Sequence, residues 1–442
     1  MDSLPSFPRT ILAVTLIAGC IPRACSGDTH ASPRDARGRD ARVATDERCR
    51  EEIAHATVAT VPGLGAIDAL IPTCDPDSRT LVVWAMRGHT LSRIERPLVP
   101  GATFRPGEIV STGADRLGPI ATTAVSGPIA WRSPTLALDD VESDEIWTAV
   151  IEPPSDGSAL RVLRGSASMP GGTVGLGIVA PIERTPAGVH LLATVAREGE
   201  NPRMIRLVVP APQDEAVTLA ALPPALADGE LKAYEPTHRV ALAYAVTGTQ
   251  ATVLQAFRVD GDRLRLIGSS PVTRRHVLVI ARGVDAGRGR SAFVWTTFDV
   301  ARGADAGACM ALDETLCVNP GPLMLGLADD HGLQTFELGA RGLPDTIALD
   351  ASGRLIVMML TADRKRRGQQ AVRVDLETQE STDVTLVPGD ALPPMDHPAL
   401  VRCGNEPWIV AEVLVDDGAG DAAARRTRES AVIALPFECL AR

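Results

Sequence analysis

The chain has 442 residues, 45% of them hydrophobic and 22% charged, with a net charge of −11. That much apolar material supports a sizeable core, either in two or three domains or in one large all-β domain. The acidic balance argues against nucleic acid as a partner, which would need a basic face.

Met1 to Thr10 is a short polar start with one cation, Arg9, opposed by Asp2. Ile11 to Ala18 is an apolar run of eight residues, followed at once by Gly19 and Cys20. Crossing a bilayer takes roughly 20 residues, so this run suits a signal h-region and not a transmembrane helix. The residues Ile17-Ala18-Gly19-Cys20 resemble the lipobox of bacterial lipoproteins. The resemblance implies a signal peptide over 1–19, cleavage before Cys20 and acyl chains on Cys20, so that the membrane is a partner. Each buried methylene contributes about 0.8 kcal/mol, and several chains together hold firmly. Ile21 is not aspartate, which in a Gram-negative lipoprotein implies the outer membrane. The alternative is a secreted or periplasmic chain without lipid.

Residues 20–47 hold almost no large apolar side chain. The run Arg34-Asp35-Ala36-Arg37-Gly38-Arg39-Asp40-Ala41-Arg42 mixes charges and has nothing to bury. It reads as a flexible tether. From 48 to 442 the chain reads as one strand-rich domain.

Seven continuous apolar runs predict strands buried on both faces. In chain order they are Leu81–Met86, Ile146–Ile151, Val189–Ala196, Val240–Val246, Ala292–Val300, Leu355–Leu360 and Trp408–Val415. Most are followed by a more alternating strand: Leu160–Gly165, Met204–Pro210, Val253–Val259, Gln370–Leu376 and Ser430–Pro436. Ile182–Gly188 and Thr346–Leu349 are weaker strands that precede their buried partners. Asp260-Gly261 marks a tight hairpin, because glycine accepts positive φ there. A unit of about 50 residues with this order predicts an all-β fold, a β-propeller of about seven blades. Two β-sandwiches are the alternative. The spacing is too long for a solenoid coil. Trp84, Trp147, Trp295 and Trp408 fall inside the buried runs, where large rings suit packing between blades.

Eight cysteines suit an oxidising compartment. With Cys20 acylated, the expected pairs are Cys49–Cys74, a local staple Cys309–Cys317, and Cys403–Cys439 as a lock on the C-terminus, leaving Cys25 over. No Cys-x-x-Cys occurs and no histidine stands beside these cysteines, so no metal site is expected.

No motif for chemistry emerges. A Gly-x-Ser-x-Gly elbow is absent. The only lysines, Lys232 and Lys365, lack a serine three residues earlier. His190 reads as a hydrogen-bonded core residue. Asp329-Asp330-His331 reads as a solvated turn, and so do the acidic run around Asp139–Glu145 and the basic tip Arg364–Arg367. No catalytic residue and no cofactor is expected. The reading is therefore a non-catalytic binding or scaffolding module of the cell envelope, with an envelope protein or a glycan as ligand. The alternative is an envelope hydrolase or lyase whose carboxylates converge in a central cleft from distant blades.

Overall fold

The computed structural model describes residues 47–53, 59–60, 69–75, 79–87, 90–99, 102–105, 109–111, 120–122, 129–132, 145–152, 161–168, 174–186, 188–197, 201–210, 217–219, 225–247, 251–272, 278–300, 310–311, 317–360, 369–386, 395–414 and 430–441. Among them the fold is all-β, with a helical turn at 47–53 and a 3₁₀ turn at Phe437–Cys439. The strands form seven small sheets of four or five strands each. We number them I to VII by the position of their first full strand.

Each of the seven apolar runs is a central strand of its own sheet. In sheet I, Thr80–Arg87 lies between Ala69–Asp75 and Thr90–Pro97. In sheet II the central strand is Glu145–Glu152, and in sheet III it is Gly188–Arg197. Sheets IV and V centre on Val240–Thr247 and Arg290–Val300. Sheets VI and VII centre on Leu355–Leu360 and Glu406–Leu414. The alternating runs become the next strand of the same sheet, as Met204–Pro210 does within Arg203–Pro210 of sheet III.

Side-chain alternation explains why the runs are continuously apolar. Successive residues of a strand point to opposite faces. In sheet VI, Ile356 and Met358 pack in a core shared with sheet VII. Leu355, Val357 and Met359 pack in a second core shared with sheet V. Sheet IV does the same, with Leu242 facing sheet V and Ala241 and Ala243 facing sheet III. Sheets I and VII share a fifth core around Val83, Trp408 and Val432. Each core thus lies between neighbouring sheets, and the central strands of sheets IV and VI have no wet face. Fully burying one large aliphatic side chain contributes about 1.5–3 kcal/mol.

The first strands follow the same order. Ala69–Asp75 packs on Met395–Cys403, that strand on Leu343–Leu349, and that one on Leu278–Gly287. The series continues through Glu230–Glu235 and Val174–Thr185 to the strands of sheet II. Single small sheets packed side by side replace the alternative of two layered sandwiches, and the fold is propeller-like.

Chain closure occurs in sheet VII, where residues 59–60 pair with Ser430–Pro436 through Ala59↔Val432 and Thr60↔Ala431. Both described disulfides lie at this junction. Cys49 in the helical turn bonds Cys439, 390 residues away. Cys74 in the first strand of sheet I bonds Cys403 in the first strand of sheet VII. The expected pairs Cys49–Cys74 and Cys403–Cys439 are therefore corrected. Pairing by nearness in sequence fails because the two chain ends share one junction, so the short-range partners are exchanged across it. Cys20, Cys25 and Cys309 fall outside the described residues, and the staple Cys309–Cys317 with them. So do the signal, the tether up to residue 46, the acidic run before Glu145 and the tip Arg364–Arg367.

Candidate functional site

The turns that join first to second strands in sheets VI, I and VII supply Ala351, Arg79, Gly404 and Asn405 to a single cleft of 520 Å³. An adjoining cavity of 320 Å³ is lined by Leu98, Val99 and Trp408. Arg48, Arg79 and Glu406 line both. These volumes lie in the range of about 300–1,000 Å³ typical of small-ligand pockets. The clefts sit on the junction of sheets I and VII, beside both disulfides.

The wall charges are mostly matched. Arg48 pairs with Glu406 at 2.7 Å, Arg96 with Glu52 at 3.0 Å and Arg373 with Glu438 at 2.6 Å. Arg79 is the exception. It is exposed, lines both spaces, and forms no ion pair among the described residues. Its backbone is left-handed, with φ at 48°. Arg239 and Arg288 stand in left-handed backbone in the corresponding turns of sheets IV and V, at 53° and 56°. Sheets VI and VII place Gly353 and Gly404 at such turn positions. A non-glycine residue there carries strain, because Cβ crowds the backbone. Two of these arginines share a sequence signal: Asp75-Pro76-x-x-Arg79 and Glu235-Pro236-x-x-Arg239 repeat the same pattern.

Three other polar groups have defined roles. Arg206 Nε donates to His190 Nδ1 at 2.8 Å, so the ring proton sits on Nε2 and is donated to Thr185 Oγ1 at 2.9 Å. That tautomer cannot take a proton from Thr185, and the trio is not a nucleophile with its base. His190 is the hydrogen-bonded residue expected, although half-buried. Desolvation and then Arg206 lower its pKa, against Glu183. The unfolded chain consequently holds a proton here that the folded chain does not. Stability should fall as the pH drops below about 6.5 toward the lower folded pKa. NMR titration should find the ring more than half neutral at pH 6.5, with the neutral form carrying its proton on Nε2. An Nδ1-protonated ring or a raised pKa would contradict the assignment.

Glu235 is fully buried at the start of the sheet IV turn. It accepts from Thr237 N, His238 N and Ser291 Oγ of sheet V, which fixes the turn against its neighbour. Arg282 of sheet V donates to the carbonyl of Asp345 in sheet VI. Its side chain is 38% exposed, yet burial pulls its pKa down.

Asp329 caps its turn by accepting from His331 N and Gly332 N, while Asp330 meets Arg258 at 3.1 Å. Among the described residues no group of His, Cys, Asp and Glu is placed to hold a metal ion, and no helix is long and apolar enough to cross a membrane.

No protein-family model matches the chain, and no curated protein sequence matches it. Similar solved structures include the hydrazine synthase of Kuenenia stuttgartiensis, at 10% identity and TM-score 0.42, covering 83% of this chain and 94% of that one. The NanB sialidase of Streptococcus pneumoniae is similar at 10% identity and TM-score 0.39, covering 86% and 70%. An uncharacterized protein of Listeria monocytogenes is similar at 9% identity and TM-score 0.39, covering 78% and 89%.

Proposed function

We propose that the chain is an exported lipoprotein whose domain closes as a seven-bladed β-propeller and acts as a non-catalytic binding module of the bacterial envelope. The junction cleft is its binding site. The observation that carries this reading is the pair of disulfides at the closure. Disulfides persist in oxidising compartments and are rare in a reducing cytosol. The order of inner-strand contacts, with the two chain ends meeting in sheet VII, supports a closed ring.

Acyl chains on Cys20 would hold the mature protein to the membrane. A tether from there to residue 47 with the random-coil behaviour its composition predicts would have a root-mean-square span of about 30 Å. The domain then rides close to the surface with its cleft beside the point of attachment, since Arg48 and Glu52 line the cleft walls.

Detergent phase partition and mass spectrometry of the mature N-terminus test the anchor. Wild type should enter the detergent phase with an acylated Cys20, and Cys20→Ser should leave it. A wild-type protein found wholly in the aqueous phase would refute the lipoprotein reading. Robust turnover of an envelope polysaccharide by purified chain would favour a hydrolase or lyase in the central cleft.

A further inference from the structure

We infer that the junction cleft recognises a small organic acid, one carboxylate on an apolar body. The inference rests on the binding-module reading and names its ligand class.

Two independent observations meet in one place. The first is charge. Arg48, Arg96 and Arg373 around the cleft each have a carboxylate partner, and Arg79 has none among the described residues. One unmatched guanidinium suits one carboxylate, which it can hold through two parallel hydrogen bonds. A phosphate brings closer to two negative charges. Its second charge would find no further unmatched cation among the described arginines around the cleft.

The second observation is apolar exposure. Val99 is 57% exposed, and among the described residues only it and Leu266 are exposed large hydrophobic side chains. Val99 stands with Leu98 in the 320 Å³ cavity that Arg79 also lines. A ligand with charge at one end and hydrocarbon at the other satisfies both at once. An uncharged apolar ligand would leave Arg79 unused, and a bare anion would leave Val99 wet.

The backbone of Arg79 adds a separable signature. Glycine reaches φ near 48° without a Cβ clash. Replacing Arg79 by glycine should therefore not cost stability, whereas a structural arginine would.

Isothermal titration of the acylated full chain in non-ionic detergent, with empty micelles as the blank, provides the test. Hexanoate is the probe; acetate carries the charge without the body, and hexan-1-ol the body without the charge. Hexanoate should bind, with acetate and hexan-1-ol at least tenfold weaker. Arg79→Gln and Arg79→Gly should each lower hexanoate affinity at least tenfold, and Arg79→Gly should do so with no fall in Tm. Val99→Ser should weaken hexanoate several-fold and leave acetate unchanged.

Equal binding of acetate or hexan-1-ol, or unchanged affinity in Arg79→Gln, overturns the inference. So does the absence of hexanoate binding by a chain that is folded, acylated and partitions into detergent, an outcome that leaves the lipoprotein reading standing. Failure of that reading would instead show in the partition of Cys20.

Discussion

Removing one of the two disulfides should cost about 4 kcal/mol of unfolding free energy, and removing both about 10. The estimate follows from loop closure in the unfolded chain, which costs more entropy for longer loops. Alone, either bridge closes a loop of more than 300 residues, with separations of 390 and 329. Once one bridge is present, the other constrains only the stretches between them, 49–74 and 403–439, a loop of roughly 60 residues. The first bridge to be lost is therefore the less costly, and the second more so. The double loss should exceed the sum of the singles. It also equals the whole stability of an ordinary domain, about 5–15 kcal/mol.

Backbone pairing of the two chain ends is short. The N-terminal strand adds two residue pairs to sheet VII, and a net backbone hydrogen bond contributes about 0.5–1.5 kcal/mol. That pairing alone is too little to fix the N-terminal end, which the bridges and the core shared by sheets I and VII hold in place. Urea unfolding of Cys49→Ser/Cys439→Ser, of Cys74→Ser/Cys403→Ser and of the quadruple variant measures all three values. Single losses under 1 kcal/mol, or a quadruple variant as stable as wild type, would overturn this account of closure.

How much of this was legible in sequence depends on what each residue's pattern encodes. Leu355–Leu360 and Val240–Val246 announce themselves, because a strand covered on both faces must be apolar at every position. Their packing partners on either side are then implied by alternation, as Leu242 and Ala243 show by facing different sheets. Cysteine pairing was not legible. Cys49 and Cys439 lie at opposite ends of the chain, and only closure brings them to a Cα separation of 5.2 Å. The cleft was illegible for the same reason, since Arg48, Arg79, Ala351 and Glu406 come from turns and ends far apart in sequence. Arg79 itself was half legible. Its repeated acid-Pro-x-x-Arg pattern marks a turn, but the lack of an ionic partner appears only in three dimensions.

Arg96 should prove the most sensitive single position of the junction outside the bridges, with Arg96→Ala costing about 3–5 kcal/mol, the range for breaking a buried charge pair. It is 2% exposed and lies in the third strand of sheet I. Each arm of its guanidinium reaches a different part of the closure. Nη1 donates to the carbonyl of Ala434 in sheet VII at 2.6 Å, and Nη2 to Glu52 of the helical turn at 3.0 Å. Nε donates to the carbonyl of Ala102 at 3.2 Å. The planar group also lies 5.5 Å from the Trp408 ring and 5.9 Å from that of Phe104. Alanine would leave Glu52 without its ionic partner, remove the donor to Ala434 and open a gap beside both rings. Lysine would keep the charge but not the three-way fork, so Arg96→Lys should recover less than half of the loss. Methionine would refill much of the volume without restoring any hydrogen bond. A double-mutant cycle with Glu52→Gln separates the ion pair from the rest. If Arg96→Ala unfolds within 1 kcal/mol of wild type in urea, or Arg96→Met is fully stable, the junction is held by packing and disulfides, and the fork at Arg96 is incidental.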